Sequence, residues 1–343
     1  MYSVYQHWDP LKVCVVGRSY PPEFYSWITV PHVRELFERI AIETEEDYQN
    51  IVKKLESFKV KVLRPEVFSE ATHPTHYLAH DDSRYVIPPM TPRDHCIMIG
   101  NTFFENFMFS PGWQNGYEHI VEHVRAQGNL IQSHNYNINI INGAMVSRIG
   151  KDLYFGTEFY TQDQSALKSM INKTFTNTRN HIVNTGGHGD GTYCPVCPGL
   201  ILSLKDVPTY AETFPGWEVI HLPNQSWEKV LPFLQLKEKN KGKWWIPGFE
   251  HDNEVTDVVE QWLRHWTGYV EETVFDINML IVDPKNVIVF NYNKLVFDAL
   301  DRYGITPHVV PFRHRYFWDG GIHCITSDLH REGTMQDYFS QRG

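Results

Sequence analysis

Short apolar runs alternate with amphipathic stretches along the whole chain, and this alternation predicts its elements. Residues 11–17 (Leu-Lys-Val-Cys-Val-Val-Gly) read as a strand. Thr44 stands where a helix cap would, followed by Glu45, Glu46 and Asp47, so a helix is expected from there to about 58. Val60 and Val62 alternate with lysines in a strand at 59–63. A strand at 96–100 turns through Asn101, and helical spacing over 113–127 ends at Gly128. Residues 145–154 read as a hairpin turning at Gly150-Lys151. A helix at 162–175, a buried strand at 200–204 and a helix at 254–266 ended by Gly268 follow. Strands at 278–282 and 287–290 flank the turn sequence Asp283-Pro284-Lys285-Asn286. A helix at 293–303 stops at Gly304, before a strand at 308–311. The Lys- and Asn-rich stretch 237–245 is expected to be a surface loop. Strand pairs and helices thus recur without a clear sequence repeat, and the pattern predicts a mixed α/β chain.

Composition narrows the picture. With 343 residues and 42% hydrophobic content, the chain can bury one large core or two ordinary ones. Aromatic residues at 14% exclude extended disorder. A net charge of -10 opposes binding to a phosphate backbone, so no nucleic-acid partner is expected. The opening Met-Tyr-Ser-Val-Tyr-Gln-His-Trp-Asp-Pro predicts no signal peptide, and no apolar run predicts a membrane span. The odd count of five Cys fits a reducing, cytoplasmic setting better than a disulfide framework.

Three segments carry candidate chemistry. In Gly-Gly-Ile-His-Cys-Ile-Thr (320–326), two glycines allow a close backbone approach beside Cys324, although a buried Cys in a strand is most often inert. In Gly-Gly-His-Gly-Asp-Gly-Thr (186–192), His188 and Asp190 are two apart and would share a side on an extended segment. A His carries protons and an ionised Asp grips cations; a polar loop without a role is the plainer alternative. Thr-Pro-Arg-Asp (91–94) places Asp94 before a strand, as a second acid or a turn residue. Cys194-Pro-Val-Cys197 has CxxC spacing but no second pair, so strand packing is expected rather than zinc or redox chemistry.

Taken in this order, the three segments resemble the amidinotransferase family, the glycine amidinotransferase-like members of the guanidino-group-modifying enzymes. The likeness spans most of the chain and is strongest from Asn278 to the C-terminus, including Gly-Gly-Ile-His-Cys-Ile-Thr-Ser-Asp-Leu-His-Arg-Glu-Gly (320–333). It implies a pentein fold, a five-bladed α/β propeller of pseudo-repeated ββαβ units, with residues 1–343 as one domain. It also implies Cys324 as nucleophile, His188 as acid/base, and Asp94 and Asp190 as the carboxylates that grip a guanidinium. Arg93, His323 and Asp276 are expected at the substrate. No metal or cofactor is implied, and a homodimer is the family's tendency.

Four positions depart from the family pattern. Asn142, in Ile-Asn-Gly-Ala-Met-Val (141–146), stands where relatives carry the acid that orients the His, and Met145 where they carry a second acid. A neutral Asn still accepts a hydrogen bond but brings no charge to an imidazolium. Val207 replaces an Arg that meets the donor's carboxylate, with Lys205 nearby, and Asp276 replaces a Ser of the donor pocket. The expected function is transfer of an amidino group from a guanidino donor, arginine by default, to an amine acceptor in biosynthesis. A guanidino hydrolase and a non-catalytic guanidine binder are the alternatives.

Overall fold

The computed structural model describes residues 1–67, 88–105, 111–133, 141–157, 164–205, 207, 209–223, 246–249, 251–259, 261, 276–318 and 320–342, the side chains of 111–115 excepted. Among these residues, five three-stranded sheets share one plan. The first combines β1 (Leu11–Val16), β2 (Lys61–Leu63) and the last strand, β15 (Thr326–Arg331). The second holds β3 (Cys96–Ile99), β4 (Thr102–Glu105) and β5 (Leu130–Ser133), the third β6 (Val146–Ile149), β7 (Asp152–Thr157) and β8 (Arg179–Asn184). The fourth holds β9 (Tyr193–Cys197), β10 (Leu200–Ser203) and β11 (Glu218–His221), the fifth β12 (Leu280–Asp283), β13 (Asn286–Val289) and β14 (Thr306–Val309).

In every sheet the middle strand pairs antiparallel on one side and parallel on the other. Parallel neighbours need a crossover, and a helix supplies it each time. These helices are Pro31–Ser57, Pro111–Ala126, Gln164–Thr174, Tyr210–Thr213 and Lys294–Arg302. The unit is therefore ββαβ, five times over. The first unit is split, because β15 from the end of the chain pairs with β1 from its beginning. The repeat that sequence comparison could not find is a repeat of connectivity, the five-bladed α/β propeller expected.

The helix Pro31–Ser57 begins well before Thr44, contrary to the predicted start. Pro31 sits in the first turn, where a missing N–H costs little. Buried Val33, Leu36, Phe37, Ile40, Ala41, Tyr48, Ile51 and Leu55 recur every three or four residues and face the core. Thr44 lies within this stripe, fully buried, and its Oγ1 accepts from Trp318 Nε1 at 3.0 Å. The next strand starts at Lys61 rather than 59, since Lys59 takes a left-handed turn (φ 61°) that ends the helix. The strand expected at 308–311 lies at Thr306–Val309, with Pro307 on an outer strand where a missing donor is tolerated. The hairpins at Asn101, Gly150-Lys151 and 283–286 fall where predicted. Cys194 and Cys197 are free thiols buried in β9. The stretch 237–245 and the far end of the helix expected at 254–266 lie outside the described residues.

Candidate active site

The candidate residues occupy one structural level, the short segments leading into the first strand of each unit. Asp94 lies in the helical turn Pro92–His95 before β3, and Asn142 in the turn before β6. His188 and Asp190 flank and occupy the turn Gly189–Gly191 before β9. Asp276 precedes β12, while His323 and Cys324 precede β15. Residues far apart in sequence are thus equivalent positions of a repeated unit.

Hydrogen bonds join the five segments in a closed ring. Arg93 N–H donates to the Cys324 carbonyl (3.4 Å), Gly143 N–H to the Arg93 carbonyl (2.8 Å) and Asp190 N–H to the Ala144 carbonyl (3.1 Å). Asn278 completes the circuit. Its Nδ2 donates to the Asp190 carbonyl (3.1 Å), and its Oδ1 accepts from His323 N (2.8 Å) and Cys324 N (3.2 Å).

Cys324 is buried, with Sγ 3.5 Å from Asp190 Oδ2 and 3.1 Å from Asn278 Nδ2. Burial, then the charges of Asp190 and Asp94, push its thiol well above the ordinary value; the contacts from Gly321 and Asn278 pull the other way. His323 Nδ1 lies 2.8 Å from Asp190 Oδ2. Burial and the charge of Arg93 lower His323 to about 4, so it stays neutral and donates to an ionised Asp190. Asp190 is held below its usual value because that hydrogen bond and the surrounding positive charges outweigh its desolvation.

Asp94 behaves differently. Burial raises it to about 6; His188 opposes the rise and Asp190 adds to it. His188 Nδ1 stands 3.6 Å from Asp94 Oδ1. Asp94 Oδ1 and Asp190 Oδ1 are both buried without a hydrogen-bond partner. Two carboxylates, each with an oxygen lacking a hydrogen-bond partner, suit a planar cation carrying several N–H donors. Behind Asp190 and His323 lies a cavity of about 20 Å³, room for one water and too small for such a cation.

The other expected residues are engaged elsewhere. Arg93 is fully enclosed; its Nε donates to the carbonyls of His323 (3.1 Å) and Thr326 (2.8 Å), and its Nη1 meets Asp328 Oδ1 at 2.7 Å. Arg148 and Arg331 bind the same carboxylate, at 2.7 and 2.6 Å. Asn142 is buried and its Oδ1 accepts from Met145 N at 2.9 Å. Asp276 is held by Asn291 and by Asn293 Nδ2 (2.7 Å), which also caps the helix Lys294–Arg302. Val207 packs on the apolar core, and buried Lys205 donates to the Thr185 carbonyl at 2.6 Å. His188 precedes a helical turn and Asp190 lies within it, so the segment is not extended as expected. Sequence reasoning missed Asn278 and Asp328 as site-building residues. Asn278 carried one signal, a polar residue heading the apolar run into β12.

No protein-family model matches the chain. The mitochondrial glycine amidinotransferase of Xenopus tropicalis is 23% identical over an alignment 392 positions long, which covers 98% of this chain and 84% of that protein. A putative inosamine-phosphate amidinotransferase of Streptomyces griseus is 21% identical over an alignment 385 positions long, which covers 98% of each chain. Among solved structures, an inosamine-phosphate amidinotransferase of Streptomyces griseus aligns with a TM-score of 0.68 at 19% identity, over 98% of this chain and 99% of that one. DDAH from Pseudomonas aeruginosa aligns with a TM-score of 0.54 at 12% identity, over 93% and 99%. The five ββαβ units and these neighbours define a pentein fold. Within that class, similarity along nearly the whole chain bears out the resemblance to the amidinotransferase family.

Proposed function

We propose that the chain is an amidinotransferase that moves an amidino group from a guanidino donor, arginine by default, to an amine acceptor through Cys324. The observation that carries this reading is the group of Cys324, Asp190 and Asp94: Asp190 Oδ2 stands 3.5 Å from the buried sulfur, each carboxylate keeps one oxygen without a hydrogen-bond partner, and His188 lies beside Asp94.

Asp94 and Asp190 hold the guanidinium by charge-assisted hydrogen bonds and present its carbon to Sγ. The cation offsets the two negative charges that keep the thiol protonated, so the thiol passes its proton to His188 and becomes a thiolate as the donor arrives. Sγ forms a bond to the guanidino carbon, giving a tetrahedral adduct. Protonated His188 gives its proton to the departing amine nitrogen as the C–N bond breaks, leaving an amidino group on sulfur. The acceptor amine then loses a proton to His188 and attacks the same carbon. The C–S bond breaks and the thiolate returns, a ping-pong cycle that uses no cofactor. Asn142 takes the place of the relatives' acid behind the His, without a charge. Arg93 serves as an anchor beneath the Cys324 loop, because its Nε and Nη1 hold two carbonyls of that segment and Asp328 and the side chain is fully buried. Asp276, tied to two asparagines, shapes the donor pocket wall, and His323 holds Asp190 ionised.

In this reading residues 1–343 work as one domain in the cytoplasm, in a biosynthetic role and as a homodimer. Among the described residues, no helix is long and apolar enough to cross a membrane. A hydrolase is the second reading, favoured by the DDAH neighbour. It would release ammonia or an amine together with a ureido product without any added acceptor. Cys324→Ser tests the cysteine step that both readings share: turnover should vanish with circular dichroism unchanged, and retained turnover would sink the mechanism.

A further inference from the structure

The ring of links around the site is made of backbone hydrogen bonds until it reaches the fifth unit. There a side chain, Asn278, spans from the β9 segment to the β15 segment. It uses both ends of its amide. Oδ1 takes the N–H groups of His323 and Cys324, while Nδ2 donates to the Asp190 carbonyl and to the Cys324 sulfur. Gly321 makes this approach feasible, since a Cβ there would stand 2.2 Å from Asn278 Oδ1. The second glycine of the Gly-Gly-Ile-His-Cys segment thus has a steric reason.

We propose that Asn278 is the positioning residue of the nucleophile: it fixes the backbone at 323–324 and donates a hydrogen bond that favours the thiolate form of Cys324. The proposal deepens the Cys324 reading and rests on it. The charged or titratable groups around the sulfur are Asp190, Asp94, His188 beside Asp94, His323 and Tyr48. The two carboxylates oppose a thiolate, and Asn278 supplies a neutral donor at 3.1 Å. A donor to an ionised sulfur is worth more than one to a thiol, so losing it raises the thiol.

Asn278→Leu removes both ends of the amide without adding charge. The readout is the rate at which iodoacetamide alkylates Cys324 at one fixed pH, followed by peptide mass mapping, with no donor or acceptor present. The thiolate is the reacting form, so a rise of one pKa unit lowers this rate about tenfold. We expect a fall of about that size. A residue that merely packed the loop would, on removal, expose the sulfur and raise the rate, so an unchanged or faster rate overturns the proposal. Alkylation needs no turnover, so failure of the amidinotransferase reading would leave this result interpretable. Where Asn278→Leu does not fold, wild-type protein labelled with ¹⁵N-asparagine decides. The Asn278 Nδ2 resonance should move with the alkaline titration of Cys324 and stay still in Cys324→Ser; no movement in wild type overturns the proposal.

Discussion

Asp328→Asn should destabilise the protein more than any substitution at the reacting groups. Asp328 is wholly buried on β15 and receives four charge-assisted hydrogen bonds, from Arg93 Nη1, Arg148 Nη2 (to both oxygens) and Arg331 Nε, at 2.6–2.8 Å. An amide of the same shape keeps one acceptor but turns a donor toward Arg331 and Arg148. Two of the four bonds are lost, at roughly 1.5–3 kcal/mol each. Three buried guanidiniums also lose their counter-charge, and breaking buried pairs of this kind costs about 3–5 kcal/mol. The two routes to the figure agree, and the larger end corresponds to a fall in melting temperature on the order of 10 °C. The arginines hold the Asp328 carboxyl well below its usual value against the opposing effect of burial. Its stabilisation is therefore fully present above the unfolded-state value of about 3.9 and is lost only as pH falls through the lower folded value. Urea unfolding followed by tryptophan fluorescence, at neutral pH and again near pH 3, measures both points. A difference under about 1 kcal/mol at neutral pH would refute the reasoning.

Asp94→Asn should lower kcat/KM roughly 10- to 100-fold through the lost charge-assisted bond to the guanidinium. The same change should raise stability at neutral pH by on the order of 1–3 kcal/mol. A carboxyl raised to about 6 when folded ionises at a cost to the fold, a cost relieved as pH falls below that value. For the same reason wild-type kcat/KM should decline below about pH 6, with this limb absent from Asp94→Asn; an unchanged limb assigns it to another group. Asn142→Asp should fold, because the Met145 N–H contact needs only an oxygen, and should move the pH profile of turnover; an unmoved profile means residue 142 does not act on His188.

Local pattern was enough for the hairpins and most strands, because alternation and Gly turns are written in adjacent residues. It misplaced the start of the long helix. Thr44 and three following acids look like a cap, and only the distant Trp318 shows that the hydroxyl is a core partner. The Cys324, His188, Asp190 and Asp94 set was legible through motif order, and the structure places these residues at equivalent points of repeated units. Arg93 was not legible as an anchor, since its partner Asp328 lies on the final strand. Asn278 was hidden for a related reason: its work is done across two other units, and its neighbours in sequence are ordinary strand residues.

The central claim is covalent transfer through Cys324. Intact-protein mass after incubation with arginine, without any acceptor, tests it most directly, with Cys324→Ala as the control. The account predicts an amidino-sized increment on the wild-type chain and none on the variant. An increment on both, or ureido product accumulating with none on either, would contradict it.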